Sequence, residues 1–241
     1  MTNSTTTMKQ TPYEGVLACN EGHLACVLAL DVSGSMQGSK LQAVIDGVER
    51  FKKANSADPL TLKRVDVSVI TFGGSKVEVI QDWIPLANFI EQPPLQLTAG
   101  GQTPMAQAIT TSLSLVRERN RLYATLGTPA FTPMVMLLTD GRPTSTEEEM
   151  AEAKRQLRER EDRKKVRLFA CGVGIEESDM DILASLSKRV IQCTSEESLS
   201  GLFDWMSESI ATISHSRAVT DGDSAQLPPL PQGLSVVPSD W

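Results

Sequence analysis

From His23 to Leu30 the chain reads HLACVLAL, a short apolar run with almost no polar interruption. Such a run suits a strand buried on both faces of a sheet. From Lys40 the period changes. Leu41, Val44, Ile45, Val48 and Phe51 fall on one face of a helix. VDVSVITF (65–72) and KVEVI (76–80) then alternate apolar and polar residues around a GGS turn (73–75). That pattern predicts a hairpin, its second strand antiparallel and at a sheet edge. Residues 81–98 hold three prolines and read as irregular.

Further on, Met105, Ala108, Ile109, Ser112, Leu113 and Val116 share a helical face. MVMLLT (134–139) reads as another buried strand. Residues 145–165 form a surface helix, acidic at its start and basic at its end, with Ser145 or Thr146 as its cap. VRLFACGVG (166–174) and RVIQC (189–193) are strands flanking a short helix over 178–186. Leu199, Leu202, Phe203, Met206, Ile210 and Ile213 mark a last helix over 196–213.

Strands alternating with helices predict an α/β fold: a three-layer, doubly wound, mostly parallel six-stranded sheet with one antiparallel edge strand. The organisation expected is a flexible N-terminal segment (1–20), one domain (21–213) and a proline-rich flexible tail (214–241). The tail carries a PxxP at Pro228 and Pro231 and ends on Trp241, whose packing the pattern leaves open. In sheets of this type, ligands bind beyond the carboxyl ends of the strands.

Composition narrows the function. The 241 residues carry a net charge of -7, which argues against a nucleic-acid partner. Cys19, Cys26, Cys171 and Cys193 form no C-x-x-C pair, and His23 and His215 lie far apart, so a zinc site is not expected. The N-terminus lacks the apolar core of a signal peptide. No apolar run approaches the ~20 residues of a membrane span. These features predict a reduced, cytoplasmic setting.

Three separated stretches bring short oxygen-bearing side chains to expected strand ends or helix starts: Asp31-Val32-Ser33-Gly34-Ser35, Gly100-Gly101-Gln102-Thr103-Pro104 and Thr139-Asp140-Gly141. Each has a plain structural reading as a turn or a cap; Thr103 before Pro104, for instance, makes a good helix start. Together they offer two carboxylates and several hydroxyls, with no imidazole and no thiolate. Hard oxygens of this kind suit Mg²⁺, with Mn²⁺ or Ca²⁺ as alternatives.

DVSGS, GGQTPM and LLTDGRPT resemble the metal-ion-dependent adhesion site of von Willebrand factor A domains, in chain order and over roughly residues 20–213. The wording VSVITFGG and LLTDGRPTS is similar to the intracellular bacterial TerY-like branch named for tellurite resistance. The resemblance implies a doubly wound sheet with an antiparallel edge strand. It implies that Ser33, Ser35 and Thr103 supply hydroxyl ligands, and that Asp31 and Asp140 act mostly through bound waters, or one of them directly. It implies a protein partner whose Asp or Glu completes the metal shell, with kinase or phosphatase modules as neighbours in a stress-response or defence assembly. Met36, Gly74, Gln102 and Arg142 are then the candidates for touching that partner. Some TerY-like relatives end in a cysteine-rich metal module; this chain has a proline-rich tail in its place.

The expectation is a binding module and not an enzyme. The alternative is a Mg²⁺-dependent hydrolase or phosphatase using Asp31. A haloacid-dehalogenase-type site needs a second Asp two residues on, where this chain has Ser33. No G-x-x-x-x-G-K-[ST] loop is present, GVGIEES (172–178) lacks dinucleotide-binding spacing, and His23 starts its strand at the end away from the site.

Overall fold

The computed structural model describes residues 21–74, 76–175 and 177–238. The expectations for residues 1–20 and for Trp241 lie outside the described residues. In chain order the elements are β1 (Leu24–Asp31), a 3-10 turn (Gly34–Met36), α1 (Ser39–Asn55), α2 (Pro59–Arg64), β2 (Val65–Gly73), β3 (Lys76–Pro85), α3 (Leu86–Phe89), α4 (Met105–Thr125), β4 (Met134–Thr139), α5 (Glu147–Asp162), β5 (Arg167–Val173), α6 (Glu177–Ala184), β6 (Val190–Cys193), α7 (Glu196–Ser214), α8 (Val219–Asp223) and β7 (Leu234–Val237).

One sheet runs through the molecule in the order β3-β2-β1-β4-β5-β6-β7. β2, β1, β4, β5 and β6 are parallel, and β3 and β7 close the two edges antiparallel. β1 is apolar throughout because both its faces are covered. Leu24, Cys26, Leu28 and Leu30 meet Val44, Val48 and Phe51 of α1 and the apolar stripe of α7. Val27 and Ala29 meet Met105, Ala108, Ile109 and Leu113 of α4. α1 and α7 approach so closely at Gly47 that a Cβ there would lie 2.2 Å from the Phe203 ring.

The sheet has seven strands, not the six expected, and the extra one comes from the segment read as a flexible tail. Leu234–Val237 pairs antiparallel with β6, Val190 opposite Val237 and Cys193 opposite Leu234. Before it, Trp205 Nε1 donates to the Pro228 carbonyl at 2.8 Å, and Leu227 and Leu230 pack on the core. α8 is also ordered, its Asp223 accepting from the Thr132 amide at 2.8 Å. The order of this segment comes from contacts with distant parts of the chain, so it carries no periodicity of its own. Cys26, Cys171 and Cys193 are buried free thiols. Among the described residues no helix is long and apolar enough to cross a membrane.

Candidate functional site

At the carboxyl end of the sheet, three loops are laced together by main-chain bonds. Val32 N donates to Phe72 O (2.9 Å), Gly100 N to Val32 O (2.8 Å) and Gly34 N to Gly101 O (3.1 Å). Gly74 N donates to Gly100 O (2.7 Å), and Gln102 N donates back to Gly74 O (3.0 Å). Gly101 has φ +71 and lies against Gly74, where a Cβ would come within 2.3 Å of the Gly74 Cα; only glycine fits that approach. Gly74, expected at the partner surface, thus serves chiefly as a stitch between β2 and the 100–102 strap.

Within this frame the side-chain oxygens form a chain. Asp31 is fully buried at the end of β1. Its Oδ1 accepts from the Ser33 amide (2.7 Å) and its Oδ2 from the Thr139 hydroxyl (2.5 Å). Ser33 Oγ lies 3.1 Å from Ser35 Oγ, which donates to Asp140 Oδ1 at 2.6 Å. Lys40 Nζ meets the other Asp140 oxygen at 2.5 Å. Burial pushes the Asp31 carboxyl above its ordinary value, against the opposing bonds from Thr139 and Ser33. Among the described residues no Lys, Arg or His pairs with Asp31. Its charge is met by neutral dipoles alone.

Thr103 is also buried. Its amide donates to Thr144 Oγ1 (3.0 Å) and its carbonyl accepts from the Thr144 amide (3.0 Å). Thr103 does not cap α4. Ser145 does, its Oγ accepting from Ala106 N at 3.1 Å, while Thr146 and Glu149 form the capping box of α5. The Thr103 hydroxyl is therefore not consumed by the helix start. Thr103's chain neighbours Gln102 and Pro104 line a cavity of about 760 Å³ together with Thr110, Thr144, Glu148 and Glu152, and Gln102 is exposed.

Asp31, Ser33, Ser35 and Asp140 thus form one bonded set, and Thr103 follows two residues after the strap's Gly101, which accepts from the Gly34 amide. Met36 does not reach the surface. It is fully buried and belongs to the core under the loop, because the 3-10 turn points its apolar chain inward. Arg142 is largely exposed but held in an ion pair with Asp179 of α6. Sequence reasoning placed Thr139 in the third stretch without giving it a role, and passed over Lys40. Lys40 did leave a signal: a cation in the first turn of a helix opposes the helix dipole and needs another reason to be there.

The donor set suits a hard divalent cation: carboxylates and hydroxyls only, with a buried carboxylate that lacks a counter-charge. Among the described residues no three of His, Cys, Asp or Glu gather around a metal position, consistent with a site whose remaining oxygens are hydroxyls.

Part of this architecture matches the family model of the von Willebrand factor type A domain. The family's model matches residues 26–143, a span that runs from β1 through the Asp140 turn. The fold is shared with the vWF domain of the type V pili tip protein Mfa5 from Porphyromonas gingivalis (11% identity, TM-score 0.61, 83% of this chain and 99% of that one). It is shared with the pilus adhesin SpaC from Lactobacillus rhamnosus GG (16%, TM-score 0.59, 80% and 30%). It is shared too with proximal thread matrix protein 1 from the mussel byssus in a form with a zinc-occupied MIDAS motif (20%, TM-score 0.51, 77% and 45%). The chain spans less than half the length of the mussel protein and the SpaC adhesin. No curated protein sequence matches it. Von Willebrand factor type A domains are known protein-interaction modules, some of them with metal sites.

Proposed function

We propose that this chain is a non-enzymatic protein-binding module that works through a divalent cation, Mg²⁺ in the cell, at the carboxyl edge of its sheet. Ser33, Ser35 and Thr103 offer hydroxyl oxygens to the ion, and Asp31 and Asp140 supply the balancing charge, directly or through water. The bound ion would provide an electrophilic position for a carboxylate of the partner. Gln102 and Arg142 lie on the surface around it; Met36 is withdrawn from that role. One observation carries the reading: Asp31 is a fully buried carboxylate that no cation among the described residues pairs with.

A hydrolase reading is weaker at this site. The position two residues beyond Asp31 is Ser33, and Ser33 is bonded to Ser35 rather than to a base. His23 lies at the opposite end of β1. Wording such as LLTDGRPTS supports a cytoplasmic, TerY-like setting in a stress-response or defence assembly, with a kinase or phosphatase module as partner.

Capture from the source cell's lysate tests the function. Wild type and Asp31→Ala are each exposed to lysate with Mg²⁺ and with EDTA. A protein retained only by wild type with Mg²⁺ is the expected result. Retention of the same proteins in all four conditions would overturn the reading.

A further inference from the structure

Lys40 stands apart from the oxygen chain yet bonds to it. The residue lies in the first turn of α1, where no acidic side chain balances the helix end. Its stem crosses Gly174, the residue after β5; a Cβ built on Gly174 would meet Lys40 Cε at 3.8 Å. From that side the ammonium reaches Asp140 Oδ2 at 2.5 Å. Ser35 donates to the other oxygen, Oδ1, at 2.6 Å. Asp140 is therefore held between two partners, the hydroxyl chain on the β1 side and a cation on the β5 side. Its side chain is fully buried, and that of Lys40 is 28% exposed.

We propose that Lys40 is a fixed internal cation that sets the charge of the site, weakening its hold on the divalent ion and making the loaded site select an anionic ligand. The inference rests on reading the oxygen chain as a cation site. Asp31 and Asp140 bring two negative charges, and Lys40 removes one. A divalent ion then leaves the loaded site with one net positive charge, which a single carboxylate neutralises. Without Lys40 the loaded site would already be neutral, and an incoming carboxylate would be left uncompensated in a partly buried position. Lys40 acts through Asp140 and the local field, as a positioning and specificity-determining residue. It also turns Asp140 so that only Oδ1 faces the hydroxyls.

The signature is a pair of opposite effects. Removing the charge tightens the metal and loosens the carboxylate. A side chain that merely braced the loop would weaken both, or neither.

Mn²⁺ is the probe, followed by electron paramagnetic resonance on wild type, Lys40→Met and Lys40→Arg. Each titration is run with and without acetate at constant ionic strength, and thermal unfolding confirms that each variant folds. Lys40→Met should bind Mn²⁺ roughly tenfold more tightly than wild type, the scale of a nearby charge in a partly solvated site. Acetate should tighten Mn²⁺ binding in wild type and lose that effect in Lys40→Met. Lys40→Arg, which keeps the charge, should behave as wild type does. Equal or weaker Mn²⁺ binding by Lys40→Met would overturn the inference while leaving the cation site standing, and so would a Lys40→Arg that matched Lys40→Met. No acetate effect in wild type would overturn the anion-selecting half. Mn²⁺ binding by neither wild type nor Lys40→Met would overturn the cation site, and the role of Lys40 with it.

Discussion

Two buried polar clusters lie at opposite ends of the same sheet, and they settle their charge differently. At the lower end, Asp66 Oδ2 meets His23 Nδ1 (3.1 Å), an Arg119 guanidinium nitrogen (3.1 Å) and the Tyr123 hydroxyl. Burial alone would raise the Asp66 carboxyl, but His23, Arg119 and Tyr123 outweigh it and hold the group below its ordinary value. Arg119 is braced in turn over the rings of Trp83 and Tyr123. At the upper end Asp31 is equally buried, but the groups that answer it, from Ser33 and Thr139, are neutral, and burial pushes its carboxyl up. In the lower cluster the carboxylate's charge is balanced within the chain, by Arg119. The upper one holds a buried carboxyl that no cation among the described residues pairs with. A buried polar group is therefore not by itself the mark of a site; a buried charge without a counter-charge is the sharper sign.

The contrast is most easily broken at Arg119. Arg119→Met leaves Asp66 buried without its cation and should cost about 3–5 kcal/mol in urea unfolding. A loss under about 1 kcal/mol would show that the lower cluster is not self-sufficient. Acid sharpens the same difference. Because Asp66 lies below its ordinary value, its contribution is fully present above the ordinary carboxylate range and is lost as pH falls through its lowered value. The sign reverses for Asp31 in metal-free protein: its raised carboxyl is a penalty that grows as pH climbs past the ordinary range. The slope of stability against pH should therefore be positive in acid for wild type and clearly smaller for Arg119→Met, measured by urea midpoints across that range.

Smaller effects are expected at the upper end. Ser145→Ala removes the hydroxyl that caps α4 and should cost about 1 kcal/mol. Asp31→Asn should stay within about 1 kcal/mol of wild type without metal, because it removes a charge that burial already disfavours. Thr103→Ala should cost less than Ser145→Ala in metal-free protein, under about 0.5 kcal/mol, since its hydroxyl caps nothing. Thermal unfolding in EDTA checks all three. A loss of several kcal/mol for Asp31→Asn would make the upper cluster a structural one like the lower.

The sequence carried most of the sheet, because buried parallel strands and amphipathic helices leave strong local patterns. β1, β4, β5 and the stripes of α1, α4 and α7 were legible for that reason. β7 was not. Four residues beyond a proline-rich stretch show no alternation, and their pairing with β6 depends on Trp205 and the Pro228 carbonyl, far apart in the chain. The lower cluster was illegible in the same way, since 43 positions separate His23 from Asp66 and 57 separate Asp66 from Tyr123. At the upper site the spacing of DVSGS, GGQTP and TDG named the oxygen set, and the geometry brings four of those side chains into one bonded chain. What spacing could not show was direction: that Met36 turns inward, that Ser145 rather than Thr103 caps α4, and that Lys40 reaches across Gly174 to Asp140.

The most direct test of the cation site is calorimetric titration of Mg²⁺ into metal-free wild type and into the Ser33→Ala/Ser35→Ala double variant. These serines carry the oxygen chain but no charge, so their removal leaves the electrostatics of the end of the sheet in place. One saturable site in wild type, weakened at least about tenfold in the double variant with unfolding unchanged, is the result predicted. Wild type that binds no Mg²⁺, or a double variant that binds it as well as wild type does, would contradict the account.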